Sequence, residues 1–377
     1  MQADKPSTIA AAVALSCIGV FGILAAPIIQ NSLQASLGFT AEQSGAVVAA
    51  EIFGGALASL LATAWINRIN WRTAAVVAVV VVVIVNVLSV LQTSASALAA
   101  LRFCAGFAGQ GTAFAVAIGI INSSSNHDRN FGFSIAAQVT TGVVTLLVLP
   151  PLAQQWGIKG VLLPLAGLAL LVLPMIFWVP QGSGPSALDS SQAGASRPAL
   201  PAFLGLGIML IWCTGLGGMW TFILSIGESG GLDAAVAGRA IAISTAVSIS
   251  GALTASALAA RGGRLIPVSV ALLVQIGAIA MLRGEMSFLQ FALTAVLFQV
   301  AWNFTGPYLM GLIASNDQTG RLSVLIPAAQ TGGFALGPVV AGALMTAQGM
   351  VGANYVGIGG CLLALVIFIP TALRLRR

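Results

Sequence analysis

Twelve apolar runs follow one another along this chain with only short polar breaks between them. They cover residues 8–30, 41–66, 73–92, 95–122, 131–154, 158–179, 201–225, 234–260, 266–283, 287–313, 322–347 and 351–373. About twenty apolar residues cross the hydrocarbon core of a bilayer as a helix. Inside that core only helices and closed barrels satisfy their own backbone groups, and runs of this length fit the helix. Charged residues make up 6 % of the chain and hydrophobic residues 58 %. A soluble domain carries about 25 % charged residues, so a soluble fold has too little polar surface here. The 44 glycines suit helices packed closely in lipid, where small residues let backbones approach. The sequence therefore predicts an all-α membrane protein of twelve transmembrane helices.

The basic residues orient it. With an even number of spans both termini share a side, and that side receives Lys5, Arg68, Arg72, Arg129, Arg197, Arg261, Arg264, Arg321, Arg374, Arg376 and Arg377. The other side receives Lys159, Arg239 and Arg283, so the bias places both termini in the cytoplasm of a cell (inner) membrane protein. The net charge of +6 is accounted for by this topology and calls for no nucleic-acid partner. The first run is long enough to span and lacks a strongly basic start, so it reads as a span rather than a removable leader. The longest break, rich in Gly, Ser, Pro and Ala, divides the chain into a six-helix bundle at 1–180, a cytoplasmic linker at 181–200 and a second six-helix bundle at 201–377. Two similar halves are a plan on which many transporters are built.

Two charges lie within spans: Glu51 in the second and Arg102 in the fourth. A charge at membrane depth is costly and marks either a protein interior or a path for ions and substrates. Counted from the outer ends of their helices, Glu51 lies about 15 Å deep and Arg102 roughly 10 Å, close enough in height to pair. Helical spacing puts Gly55, Ala58 and Ala62 on the face of Glu51, and Gly106, Gly109 and Ala113 on that of Arg102. One reading is a structural ion pair that fixes the N-terminal helices. The other is proton coupling, with Glu51 taking up and releasing a proton while Arg102 holds the charge.

Other polar residues gather by face. Gln299, Trp302, Asn303 and Gly306 align in the tenth span, Gln138, Thr141, Gly142 and Thr145 in the fifth, while the eleventh offers Gln330. Trp212 and Trp220 fall broadly on one side of the seventh. Gln138, Trp220, Gln299, Trp302, Asn303 and Gln330, with Arg102, are the candidate substrate-binding residues, since amides and indoles near mid-membrane can line a solute pocket. Glu228 is expected in a solvated loop. The cysteines Cys17, Cys104, Cys213 and Cys361 are scattered without paired spacing, and His127 stands without a catalytic partner, so no metal, cofactor or enzymatic role is expected.

The break after the second span reads Asn67-Arg68-Ile69-Asn70-Trp71-Arg72, and that after the eighth reads Ala260-Arg261-Gly262-Gly263-Arg264. Both resemble the loop motif of the major facilitator superfamily, with Asn67 and Ala260 where that family carries an aspartate. Leu98 to Gly109, with Arg102 four residues before Gly106, resembles the family's fourth-span motif. The Gly-Pro motif of the fifth span in antiporters is missing, whereas Gly333-x-x-x-Gly337-Pro338 appears in the eleventh. The resemblance implies a rocker-switch secondary transporter, a proton or substrate role for Arg102, and gating by Arg68, Arg72, Arg261, Arg264, Gly337 and Pro338. Positive-inside anchoring would account for the same arginines. The expected activity is proton-coupled symport of a small organic solute, an organic anion being preferred, by a monomer whose partners are solute, protons and membrane lipids. A drug or metabolite efflux antiporter is the alternative, and a non-transporting sensor or scaffold the alternative of another class.

Overall fold

The computed structural model describes residues 4–66, 68–125, 127–181, 200–258, 263–316, 322 and 325–374. Among these residues the secondary structure is helical and no strand occurs. The chain is a twelve-helix membrane protein. Helix α1 comprises Pro6–Gly19, Phe21–Leu24 and Ala26–Leu37. Then come α2 (Ala41–Trp65), α3 (Trp71–Ser89), α4 (Ala95–Cys104, a π-helical segment Ala105–Gly111, and Thr112–Asn122), α5 (His127–Trp156) and α6 (Lys159–Val172, tightening to a 3-10 turn at Leu173–Trp178). The second set is α7 (Leu200–Ser229), α8 (Ala234–Val247 and Ile249–Leu258), α9 (Leu265–Met281), α10 (Phe288–Asn316), α11 (Ile326–Gln348) and α12 (Val351–Arg374). Among the described residues, ten helices are long and apolar enough to cross a membrane, while Pro6–Gly19 and Leu265–Met281 are shorter apolar helices.

Local chemistry sets the ends and breaks. Asn70 starts α3 by accepting hydrogen bonds from the backbone of Arg72 and Thr73. Asp233 does the same for α8 through Ala235. In α1 the helix lapses at Val20 and Ala25 and restarts with Pro27 in its first turn, a place where a missing N–H costs nothing. It then ends on Gly38, whose φ of 68° is the left-handed cap that glycine adopts without strain. The polar stretch Gln30-Asn31-Ser32 stays inside this helix and buried, so α1 reaches Leu37 where hydropathy alone stops it near residue 30.

The contacts divide the chain into two compact units. One comprises Met1–Phe39 and Ala46–Asp189, the other Thr40–Gly45 and Ser190–Arg377. Each is built on backbone-to-backbone approaches that small residues permit. In the first, a Cβ on Gly106 of α4 would overlap the carbonyl oxygen of Glu51 on α2. In the second, a Cβ on Gly337 of α11 would overlap the backbone nitrogen of Gly218 on α7. Long apolar side chains such as Leu91, Leu171 and Phe177 point outward, which suits a hydrocarbon solvent.

Candidate functional site

The first unit encloses a connected polar cluster among otherwise apolar helices. Glu51 of α2 and Arg102 of α4 are 2 % and 1 % exposed, and Arg102 Nη1 lies 3.5 Å from Glu51 Oε1. At 3.5 Å the pair is a charge contact more than a close hydrogen bond. The stronger bonds of Arg102 go to α3: Nη1 donates to Asn86 Oδ1 at 2.8 Å and Nη2 to Ser89 Oγ at 2.9 Å. Asn86 and Ser89 are three residues apart and so share a helix face. The closest partner of Glu51 is Gln110, whose Nε2 donates to Oε1 at 2.6 Å. The carbonyl oxygen of the same Gln110 accepts the backbone N–H of Gly22 at 3.1 Å, within the short central piece of α1.

The π-helical segment explains how one carboxylate oxygen meets both residues of α4. In an uninterrupted α-helix, positions eight apart lie about 80° apart around the axis. One inserted residue makes the pair equivalent to seven helical steps, which returns Gln110 to the side of Arg102. The face-sharing residues expected from ideal spacing shift accordingly, and Gly109 packs against Val82 of α3. The cluster is nearly saturated: among the described residues, Glu51 Oε2 and Arg102 Nε have no hydrogen-bond partner. Burying such a pair is stable only where further hydrogen bonds satisfy it, and Asn86, Ser89 and Gln110 supply them.

Asn86, Ser89, Gln110 and Gly22 were not among the residues that spacing singled out. Asn86 and Ser89 interrupt a run of valines and carry a legible signal. Gln110 has none at ideal helical period, because the π segment displaces it.

The remaining candidates of the first unit lie elsewhere. Gln138 of α5 donates to Ser134 at 2.9 Å, and Ser134 donates to Ser16 of α1 at 2.7 Å, a chain tying two helices together. Arg72 Nε donates to the carbonyl of Val179, just past the end of α6, at 2.9 Å, while Arg68 is exposed. A cation at that place also complements the negative end of the α6 dipole.

In the second unit, Trp302 of α10 stands at the centre of an aromatic cluster. Its ring centroid lies 5.1 Å from Phe334, 5.9 Å from Trp220 and 6.1 Å from Phe298. Gln299 is buried and bonded to Ser244 and Thr245 of α8, and Asn303 donates to Ser248, at the break of α8, at 2.7 Å. Gln330 is half-buried on α11. Trp212 does not share the setting of Trp220: it is fully buried and donates to Gln275 at 2.9 Å, whose amide binds the Phe298 carbonyl. Arg264 donates to Ser315 at 2.8 Å. Arg261 and the linker from 182 to 199 lie outside the described residues. Gly337 and Pro338 are buried in α11, and Gly337 is seated on α7. Glu228 belongs to the last turn of α7, which continues past the expected end to Ser229, and is half-buried rather than in a loop.

The sequence model of the Major Facilitator Superfamily matches residues 9–326. No curated protein sequence matches the chain. Among solved structures, the nucleoside transporter NupG is similar at 15 % identity and a TM-score of 0.72, covering 98 % of each chain. A D-xylose-proton symporter is similar at 14 % identity and a TM-score of 0.74, covering 97 % of this chain and 96 % of that one. A bacterial homologue of the human lysosomal transporter Spinster, in an inward-facing and unoccupied conformation, is similar at 15 % identity and a TM-score of 0.69, with 98 % and 96 % covered.

Proposed function

The chain belongs to the Major Facilitator Superfamily, and from that premise we propose that it is a proton-coupled secondary transporter of a small organic solute. Family and fold support transport across a membrane rather than enzymatic turnover. In this reading, two six-helix halves, 1–180 and 201–377, give alternating access by a rocker-switch movement, with the termini and the 181–200 linker in the cytoplasm. The direction is symport.

The observation that carries the coupling is the Glu51 carboxylate: buried, paired on one oxygen and without a hydrogen-bond partner on the other. A carboxylate so placed can accept a proton on Oε2 without first breaking a bond. Arg102 is the counter-charge that keeps the ionised form tolerable at this depth. Both Nη atoms of Arg102 are already engaged and the side chain is 1 % exposed, so it is assigned to the proton site and not to the solute. The preference for an organic anion rested on that arginine and loses its support. The solute is assigned instead to the aromatic cluster around Trp302, with Asn303, next to Trp302 in sequence, and Gln330, one helical turn before Phe334 on α11, as the polar candidates, a setting that suits a neutral polar molecule with a flat or apolar face. Arg68, Arg72, Arg261, Arg264, Gly337 and Pro338 remain the proposed gating elements.

The test is a thermal-shift screen of the purified protein against nucleosides, D-xylose, organic acids and cationic drugs, followed by vesicle uptake of the stabilising solute under an imposed pH gradient. Stabilisation by a neutral solute and its accumulation towards the alkaline side support the proposal. Stabilisation by cations alone, with extrusion against a proton flux, overturns it in favour of an efflux antiporter.

A further inference from the structure

Gln110 is hydrogen-bonded to two elements at once: the ionisable carboxylate on α2 and the interrupted stretch of α1. Its Nε2 donates to Glu51 Oε1 at 2.6 Å and its Oε1 accepts from Gly22 N at 3.1 Å, both buried. One amide orientation satisfies both bonds, with the NH2 group towards the carboxylate and the carbonyl towards the N–H. Gly22 lies between the breaks at Val20 and Ala25, where α1 lacks a continuous hydrogen-bond ladder. A Cβ there would stand 2.8 Å from Gln110 Oε1 and 3.0 Å from Glu51 Cγ, so at Gly22 the backbone of α1 comes close to both side chains. The π-helical segment of α4, a feature that recurs at functional sites, is what aims Gln110 at both.

We propose that Gln110 is the positioning residue that transmits the protonation state of Glu51 to the broken segment of α1. The inference rests on the proton role assigned to Glu51 above. The proton arrives on Oε2, which has no partner among the described residues. Oε1 then changes from a charged to a neutral acceptor, and a hydrogen bond to a charged group is roughly twice as strong as one between neutral groups. The bond that holds Gln110 loosens, and with it the anchor of Gly22. The segment from Val20 to Ala25 becomes freer to open and close. Arg102 is the charged group that faces Glu51. Helix α1 carries no acid or base between Pro6 and Leu37, α2 otherwise only Glu42 in its first turn, α3 only Arg72 in its first turn, α4 only Arg102, and α5 only His127, Asp128 and Arg129 at its start. Of the thiols, Cys104 is exposed and Cys17 precedes the break.

Hydrogen–deuterium exchange of the full-length protein in lipid nanodiscs tests this, read in peptides covering 18–26 across a pH series and corrected for intrinsic exchange. The wild type should exchange on the order of fivefold faster once Glu51 is protonated, from the difference between charged and neutral hydrogen bonds. Glu51→Gln and Gln110→Leu should both show the faster rate at every pH. Gln110→Met serves as a second variant, and unchanged exchange in α5 serves as the folding control. A flat wild-type profile, or a pH response that survives in Gln110→Leu and Gln110→Met, overturns the proposal. The two readings fail separately. Loss of gradient-driven uptake in Glu51→Gln with a flat exchange profile sinks the Gln110 link alone, whereas a pH response through Gln110 without any gradient-driven uptake sinks the coupling role.

Discussion

Removing Arg102 and Glu51 singly and together separates a shared charge pair from two unrelated buried side chains. In Arg102→Met, the Glu51 charge remains buried without a counter-ion, and Asn86 and Ser89 lose donors held at 2.8 and 2.9 Å. Breaking a buried pair from one side costs about 3–5 kcal/mol. Glu51→Gln keeps an acceptor for Gln110 but leaves the guanidinium uncompensated at 1 % exposure, so its cost falls at the lower end of the same range, ~3 kcal/mol. In the double variant both charges are gone, and what remains is the loss of two neutral-acceptor hydrogen bonds at about 1 kcal/mol each. The singles then sum to ~6–8 kcal/mol against ~2 kcal/mol for the double, a coupling of ~4 kcal/mol or more. The assay is denaturant unfolding of the purified protein in one fixed detergent, with helix content by circular dichroism as the signal. Costs that add within ~0.5 kcal/mol, the level expected of independent sites, would show that the two residues share no interaction energy and would refute the network.

Two further outcomes are specific. Gly106→Ala forces a methyl group onto the Glu51 carbonyl, a backbone atom that cannot rotate away, so it should cost ~1–3 kcal/mol or more in the same unfolding assay. An unchanged midpoint would mean that α2 and α4 separate freely. Asp4, ahead of α1, accepts from the backbone N–H and the hydroxyl of Ser125, which hold its carboxyl below the ordinary value. A lowered carboxyl pKa stabilises this tie above the unfolded-state value and releases it as pH falls through the folded-state value. Local exchange at 4–8 and 123–125 should therefore rise only in acid, and Asp4→Asn should remove that acid dependence.

The spans were legible because hydrocarbon leaves the backbone one economical solution, and hydropathy reports it directly. The expected range 95–122 coincides with α4 and 351–373 with α12 to one residue. Hydropathy failed where polar residues stay helical inside protein. Gln30, Asn31 and Ser32 are buried within α1, and Glu228 sits in the last turn of α7. Glu51 and Arg102 stood out because charge is rare at that depth, and they do meet. Asn86 and Ser89 are uncharged and short, so only their three-residue spacing in a valine run marks them. Gln110 could not be placed from periodicity, since the π segment changes the period itself. Trp212 and Trp220 share an approximate side by number, yet one is tied to Gln275 and the other joins the Trp302 cluster. Helical spacing predicts a face, not the neighbour on it.

Coupling in this proposal depends on a proton carried by Glu51. Its most direct test uses the stabilising solute in vesicles, comparing uptake driven by a pH gradient with solute–solute exchange across the same membrane. Glu51→Gln should retain exchange, because the solute cluster lies in the other unit, and should lose accumulation, because no proton can load. Accumulation by Glu51→Gln at the wild-type rate would contradict the claim.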